Sequence, residues 1–249
     1  YHVRHRELYE AIGDAESRLR RPPTVPRALE RIMLLDVILK EPDLGTGLIL
    51  MPVFLAMLYV WGMRPRAIWS LVGLGAAASP FLFHFLKEYQ RNRLLVFMNP
   101  NLDPLGSGYT IIQSKIAIGS GGIFGKGFLG GTQTQLKFLP ERHTDFIFGV
   151  IGEEGGFIAC MLVIALFWLI VRRGYQITAQ TPDRFGSQLA CGLTTMVAFQ
   201  AFVNLGMTMG VLPVVGVPLP LVSYGGTSVL MTMLAIGLLI NIKVHRSLF

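Results

Sequence analysis

The feature that most constrains this chain is a set of long apolar runs that carry almost no charge. Residues 44–61 contain no charged side chain, and His84 is the only titratable one in residues 67–86. Runs of this length can cross the hydrocarbon core of a bilayer as helices. We therefore predict an all-α integral membrane protein with five spans, over residues 44–61, 67–86, 146–171, 186–210 and 227–242.

The overall composition agrees with a membrane protein. Hydrophobic residues make up 52% of the chain and charged residues 15%, and the mean hydropathy is +0.52. The net charge of +7 fits basic loops beside acidic lipid head groups better than it fits nucleic-acid binding. Cys160 and Cys191 both fall inside predicted spans, which argues against a disulfide framework and against a cysteine metal site.

Basic side chains indicate which side of the membrane each connection occupies. They follow the first and third predicted spans and recur in the tail, at Arg64, Arg66, Arg172, Arg173, Arg184, Lys243 and Arg246. By the positive-inside rule this side is the cytoplasm, so the carboxyl terminus is predicted to be cytoplasmic. Residues 87–145 and 211–226 are then predicted to lie outside.

The large outer loop, residues 87–145, is too long to be a plain connector, and loops of this size usually carry function. Residues 85–98 are predicted to form a helix lying in the membrane interface. Residues 109–118 are apolar but too short to span, so they are predicted to re-enter the membrane against protein. For the glycine-rich residues 119–131 we favour backbone flexibility over a phosphate cradle, because GSGGIFGKG lacks the GKS or GKT ending of a P-loop.

Four motifs resemble one membrane protein family. FLPERHTDFIFGVIGEEGG is preceded by GYTIIQSKIAIGSGGIFGKGFLGGTQTQLK and followed by GVLPVVGVPLPLVSYGG, and EPDLGTG opens the first span. Together they resemble the SEDS family (shape, elongation, division and sporulation), which includes RodA and FtsW, and its RodA branch in particular. Over residues 41–249 the resemblance implies the last five helices of a ten-helix fold, the carboxy-terminal half.

Residues 1–40 differ from that family. They are polar, basic and proline-containing, whereas family members have another apolar helix before EPDLG. The chain also begins at Tyr1, and no signal peptide pattern follows. These features predict a truncated or aberrant amino-terminal segment and no cleaved leader.

The resemblance implies a peptidoglycan glycosyltransferase of the bacterial cytoplasmic membrane. Such an enzyme polymerises lipid II, the undecaprenyl-diphosphate-linked disaccharide peptide, for cell-wall elongation and cell shape, and it works with a transpeptidase, a class B penicillin-binding protein. The reaction inverts the anomeric carbon and releases a lipid diphosphate. This chemistry needs a base and a positive charge for the leaving group, which a divalent cation (Mg²⁺ or Mn²⁺) can supply without an organic cofactor.

Asp145 is the candidate base. It lies where the outer loop meets the third predicted span, and the proposed catalytic aspartate in the family's HTDF motif corresponds to it. A carboxylate directly before an apolar run can also cap a helix, and the two roles can coexist.

The remaining candidates are predicted to bind substrate. Arg142 is assigned to the diphosphate, because a planar guanidinium suits phosphate oxygens, with a surface ion pair as the alternative. The other candidates are Glu141 beside Arg142, three lysines of a cationic cradle (Lys115, Lys126 and Lys137) and two residues of the central cavity (Asp43 and Ser223). The alternative is solvent exposure for Glu141 and the lysines, helix capping for Asp43 and packing for Ser223. One of Glu153 and Glu154 is expected to have an internal structural or substrate-channel role.

Two other functions fit the same pattern. Polar groups inside a helix bundle and broken helices also suit a lipid II flippase or transporter. A non-catalytic scaffold for wall enzymes is the second alternative. A requirement for Asp145 in polymerisation would distinguish the glycosyltransferase from both.

Overall fold

The computed structural model describes residues 44–82, 88–99, 102–103, 106–135, 138 and 143–245. Regular structure in these ranges is entirely helical. The helices are α1 Leu44–Val60, α2 Pro65–Leu82, α3 Glu88–Met98, α4 Ser107–Ser120, α5 Thr132–Gln135, α6 Ile147–Gln180, α7 Arg184–Thr208 and α8 Gly226–His245. A helix therefore occupies each of the five predicted spans. The predicted amino-terminal segment, residues 1–40, lies outside the described residues.

Among the described residues, the three helices α6, α7 and α8 are long and apolar enough to cross a membrane, and Gly47–Val60 is a shorter apolar helix. α6 differs from the predicted third span because it continues past Val171 to Gln180. Arg172 and Arg173 therefore lie on a helix rather than in a loop. The tight turn that follows ends at Asp183, whose carboxylate caps α7 by accepting a hydrogen bond of 2.7 Å from the Gly186 amide.

α7 lies at the centre of the described bundle and contacts α1, α4, α6 and α8. Small residues allow close helix crossings, as is common in membrane proteins. A β-carbon built on Gly174 of α6 would lie 2.3 Å from Thr194 Oγ1 of α7. The main apolar cluster joins α1, α7 and the connection after α7 through Ile49, Val203, Met207, Val215 and Val217.

α6 is broken near its beginning. Gly156 has φ 68° and ψ −165°, so the backbone leaves helical geometry there. The glycine-rich turn, residues 121–131, pairs with the broken segment and satisfies backbone groups that the helix cannot. The four hydrogen bonds are Lys126 N to Glu153 O at 3.0 Å, Gly127 N to Glu154 O at 3.0 Å, Phe157 N to Gly122 O at 2.9 Å and Ile158 N to Ile123 O at 3.3 Å.

Close packing requires glycine at two positions of this turn. A β-carbon built on Gly121 would lie 1.9 Å from the Gly152 carbonyl oxygen, and one on Gly125 would lie 2.1 Å from that of Glu154. Gly125 also has φ +78°, a conformation that other residues rarely adopt. The prediction of simple flexibility is therefore wrong. A phosphate cradle is not supported either, because the Lys126 and Gly127 amides already donate to α6.

The apolar stretch before the glycine-rich turn packs against protein, as predicted, whereas its re-entry into the membrane stays a prediction. α4 covers the apolar residues 109–118 and packs against protein, with Ile111, Ser114 and Ala117 buried. Ser114 Oγ donates a hydrogen bond of 2.8 Å to the Thr208 carbonyl at the end of α7. The connection between α7 and α8 is irregular, and its buried residues are Val215, Val217, Leu219, Pro220 and Ser223.

Candidate active site

The residues just before α6 are held by their backbone carbonyls. Three successive carbonyl oxygens, those of His143, Thr144 and Asp145, each accept a hydrogen bond from a residue later in the chain. The donors are Tyr224 N at 2.8 Å, Ser223 Oγ and Asn204 Nδ2 at 2.9 Å, respectively. We call Asn204, Ser223 and Tyr224 the carbonyl clamp. The clamp fixes the backbone around Asp145 to α7 and to the α7–α8 connection.

Asn204 is the central member of the carbonyl clamp. Its side chain is fully buried in α7, and its amide group also donates to the Val217 carbonyl at 2.7 Å. One amide therefore joins α7, the start of α6 and the α7–α8 connection. The sequence prediction missed this residue. The available signal was a carboxamide within a predicted span that has no charged residue. Polar side chains inside a membrane are costly unless they have a structural or functional role.

Ser223 has a structural role in the clamp. Its side chain is only 2% exposed, and its hydroxyl accepts a hydrogen bond of 2.8 Å from the Leu219 amide while donating to Thr144. The predicted position of Ser223 in the cavity wall is therefore corrected, because the hydroxyl is occupied within the protein. Its neighbour Tyr224 is 82% exposed.

Asp145 is half-buried and faces the α7–α8 connection. A β-carbon built on Gly216 of that connection would lie 3.5 Å from Asp145 Oδ2, an ordinary van der Waals distance. The cap residue of α6 is Phe146, and no side chain forms a capping hydrogen bond there. Asp145 therefore lies one position before the cap residue.

Lys115 lies on an exposed face of α4, against the beginning of the same connection. A β-carbon built on Gly210 would lie 2.0 Å from Lys115 Cε and 2.6 Å from its Nζ. Within the described part of the chain, Lys115 has no hydrogen-bond or ion-pair partner. Lys115 and Asp145 therefore both border the stretch between Gly210 and Gly216, and the substrate-binding role of Lys115 stays a prediction.

Lys126 is committed to a different interaction. Its ammonium lies 2.9 Å from Glu153 Oε1, in an ion pair whose carboxylate is fully buried. Glu153 also accepts hydrogen bonds from α5: Thr132 Oγ1 at 3.3 Å, Gln133 N at 2.9 Å, Thr134 N at 3.0 Å and Thr134 Oγ1 at 2.8 Å. The predicted diphosphate role of Lys126 is therefore corrected, since a buried carboxylate neutralises its charge. Glu153 is the acid with the internal structural role.

The other predicted site residues lie outside the described residues: Asp43, Lys137, Glu141 and Arg142. Their roles stay predictions. The described part of the candidate site consists of the Asp145 carboxylate, the carbonyl clamp that positions it, and the Lys115 ammonium beside the same connection.

Comparison with known proteins identifies the family. Residues 11–248 match the cell cycle protein family of FtsW, RodA and SpoVE. The chain belongs to this family. The predicted resemblance is confirmed, and so is the prediction of an all-α integral membrane protein of this fold.

Curated members of the FtsW, RodA and SpoVE family are similar over most of this chain. The peptidoglycan glycosyltransferase MrdB of Escherichia coli K12 is 49% identical over 209 residues, which cover 84% of this chain and 56% of MrdB. The stage V sporulation protein E of Bacillus subtilis is 40% identical over 209 residues, 83% of this chain and 56% of that protein. The chain spans just over half the length of these relatives.

Solved structures of the family share the fold. A chain of a peptidoglycan synthase complex superposes with a TM-score of 0.70 at 34% identity, over 88% of this chain and 61% of that chain. The rod shape determining protein RodA of Thermus thermophilus superposes with a TM-score of 0.58 at 29% identity, over 88% of this chain and 55% of RodA.

Proposed function

We propose that this chain carries the catalytic face of a peptidoglycan glycosyltransferase that polymerises lipid II for cell-wall elongation and cell shape. The carbonyl clamp is the observation that carries the proposal, because it fixes the backbone of a half-buried carboxylate next to a membrane helix. The similarity to the glycosyltransferase MrdB supports the choice of reaction.

In the proposed reaction Asp145 acts as the general base. Its carboxylate accepts the proton of an acceptor sugar hydroxyl while that oxygen bonds to the anomeric carbon of the donor. The bond between this carbon and the lipid diphosphate breaks, and the diphosphate leaves with the electron pair. Because the acceptor oxygen attacks the face opposite the diphosphate, the configuration inverts. A backbone fixed at three successive carbonyls keeps the carboxylate in one place relative to a bound hydroxyl.

Cations would stabilise the departing diphosphate. Lys115 is the described candidate, because its ammonium has no partner in the described ranges and borders the same connection as Asp145. Arg142, Lys137 and Glu141 are proposed to complete the substrate contacts, and Asp43 is proposed to face the cavity.

A divalent cation is a further proposal. No group of three His, Cys, Asp or Glu side chains in the described ranges could hold a metal ion. Mg²⁺ or Mn²⁺ would therefore take most of its ligands from the substrate diphosphate, as Mg²⁺ commonly does. The described residues do not form a metal site of their own, so no step is assigned to the ion.

We further propose that the protein lies in the bacterial cytoplasmic membrane with its carboxyl terminus in the cytoplasm, following the distribution of arginine and lysine. A class B penicillin-binding protein is the proposed partner. The similar synthase complex, which coordinates polymerization and crosslinking, supports a partner of that kind.

The test is polymerisation of labelled lipid II by two purified proteins. One is this chain, and the other is a chimaera in which residues 44–249 replace the matching part of E. coli MrdB. We expect the chimaera to form glycan strands and its Asp145→Asn variant to form none. The control is Glu88→Gln, an exposed carboxylate of α3. A chimaera that moves lipid II across vesicles without forming strands would instead indicate a flippase.

A further inference from the structure

A groove lies at the opposite end of the bundle from Asp145. It has a volume of about 700 Å³ and lies between the end of α1, the beginning of α2, the end of α6 and the beginning of α7. Its lining includes Leu55, Ala56, Ile68, Trp69 and Ala179. A groove of this size and composition suits a hydrocarbon chain, since ligand pockets commonly measure about 300–1,000 Å³ and are mostly apolar.

Four of the five hydroxyl groups in the groove lining have a partner within the protein, and the fifth belongs to Tyr59, whose side chain is exposed. Thr178 Oγ1 donates to the Gly174 carbonyl at 3.1 Å, Thr181 Oγ1 to that of Ile177 at 2.7 Å and Ser187 Oγ to that of Thr178 at 2.9 Å. The Tyr175 hydroxyl lies 3.1 Å from Thr195 Oγ1. A sugar or another polar ligand would find few free partners on this wall, whereas an acyl chain needs none.

Three arginines lie close in sequence to residues that line the groove. Arg64 and Arg66 flank the lining residue Pro65, and Arg184 lies between the lining residues Thr181 and Ser187 in sequence. All three arginines are exposed, and none of their guanidinium groups has a hydrogen-bond or ion-pair partner in the described part of the chain. The nearby Asp183 carboxylate is occupied as the cap of α7.

An anionic phospholipid has a charged head group and apolar acyl chains. The exposed guanidinium groups suit the head group, and the apolar groove suits an acyl chain. Guanidinium groups bind phosphate oxygens well, and basic pockets between membrane helices commonly hold acidic lipid head groups. We propose that this groove binds one anionic phospholipid, with an acyl chain against Leu55, Ala56 and Trp69 and its phosphate at Arg64, Arg66 and Arg184. This site is separate from the Asp145 site and does not depend on the proposed reaction.

Tryptophan fluorescence tests this site directly. The chain has three tryptophans, and Trp69 alone lines the groove. In a Trp61→Phe/Trp168→Phe background, vesicles would be titrated with phosphatidylglycerol or phosphatidylcholine brominated in the acyl chain. The lipid fraction that gives half-maximal quenching of Trp69 should be lower for phosphatidylglycerol than for phosphatidylcholine, by about fivefold for each contributing arginine.

Two pairs of variants separate this site from general surface attraction. Arg64→Gln/Arg66→Gln should abolish most of the lipid preference, while Arg172→Gln/Arg173→Gln should keep it. Arg172 and Arg173 are the control because neither lines the groove nor adjoins a lining residue in sequence, and the Arg173 guanidinium already donates to Gln176 Oε1 at 3.4 Å. Ala56→Phe should also reduce the preference by filling the groove, and Ala165→Phe on the exposed face of α6 should not.

Equal quenching by the two lipids would overturn the proposal. So would an equal loss of preference in both arginine pairs, because that result would mean attraction to the charged membrane surface as a whole. Preserved preference in Ala56→Phe would show that no acyl chain enters the groove.

Discussion

At the scale of single residues, two buried polar side chains organise the region around the candidate site. Asn204 donates to two carbonyls from different segments, and Glu153 accepts from α5 while pairing with Lys126. Asp145 could be predicted from its motif and its position before a membrane helix. The partners of Asn204 and Glu153 could not, because hydrogen bonds between distant segments leave no local pattern in hydropathy.

Replacing Asn204 should destabilise the protein. Asn204→Leu keeps the approximate size of the side chain but removes its amide donor. The Asp145 and Val217 carbonyls then each lose a hydrogen bond. Each unsatisfied buried group costs about 1–3 kcal/mol. Thermal unfolding of the purified protein in detergent should show a lower midpoint. Asn241→Leu, at an exposed position on α8, is the control and should change little; an equal shift in both would contradict the clamp.

Replacing Glu153 should loosen the glycine-rich turn. Glu153→Gln places an amide donor against the Gln133 and Thr134 amides and leaves Lys126 without its countercharge, at a cost of about 1–3 kcal/mol. Hydrogen exchange at residues 125–127 should become faster. Glu154→Gln is the matched control, because the neighbouring Glu154 side chain has no hydrogen bond in the described ranges. Unchanged exchange in Glu153→Gln would show that this carboxylate does not hold the turn.

At the scale of elements, a helix lies in each of the five apolar runs, because span length and hydropathy are local properties that the sequence displays directly. The break in α6 was not predicted. Its cause is the pairing of residues 153–158 with the glycine-rich turn, which lies far away in sequence. The glycines themselves were visible, but composition alone does not distinguish a flexible backbone from one that must pack closely.

Substitution at two glycines should separate these interpretations. Gly125→Ala places a β-carbon about 2.1 Å from the Glu154 carbonyl oxygen and strains a positive φ, so little folded protein should be recovered. Gly119→Ala lies in α4 with no atom within 4 Å of the new β-carbon, so it should be neutral or slightly stabilising. Size-exclusion profiles of the two purified variants would check this. Equal recovery would favour a merely flexible turn.

At the scale of the whole molecule, the arginines of the groove and the Asp145 site lie at opposite ends of the bundle. With the cytoplasmic carboxyl terminus that we propose from the positive-inside rule, Asp145 would lie on the outer side of the membrane. Green fluorescent protein fused after Phe249 should therefore fluoresce, and alkaline phosphatase at the same position should be inactive. An active phosphatase would reverse the proposed orientation.

The most direct measurement of the central claim compares lipid II binding with polymerisation in the MrdB chimaera carrying Asp145→Asn. A general base contributes about 10²–10⁴ to the rate, so kcat should fall by at least about 100-fold. Affinity for lipid II should change little, because asparagine keeps the size of the side chain and the carbonyl held by the clamp. Strand synthesis at the unsubstituted rate, or a loss of binding that accounts for the whole loss of rate, would contradict the assignment of Asp145 as the base.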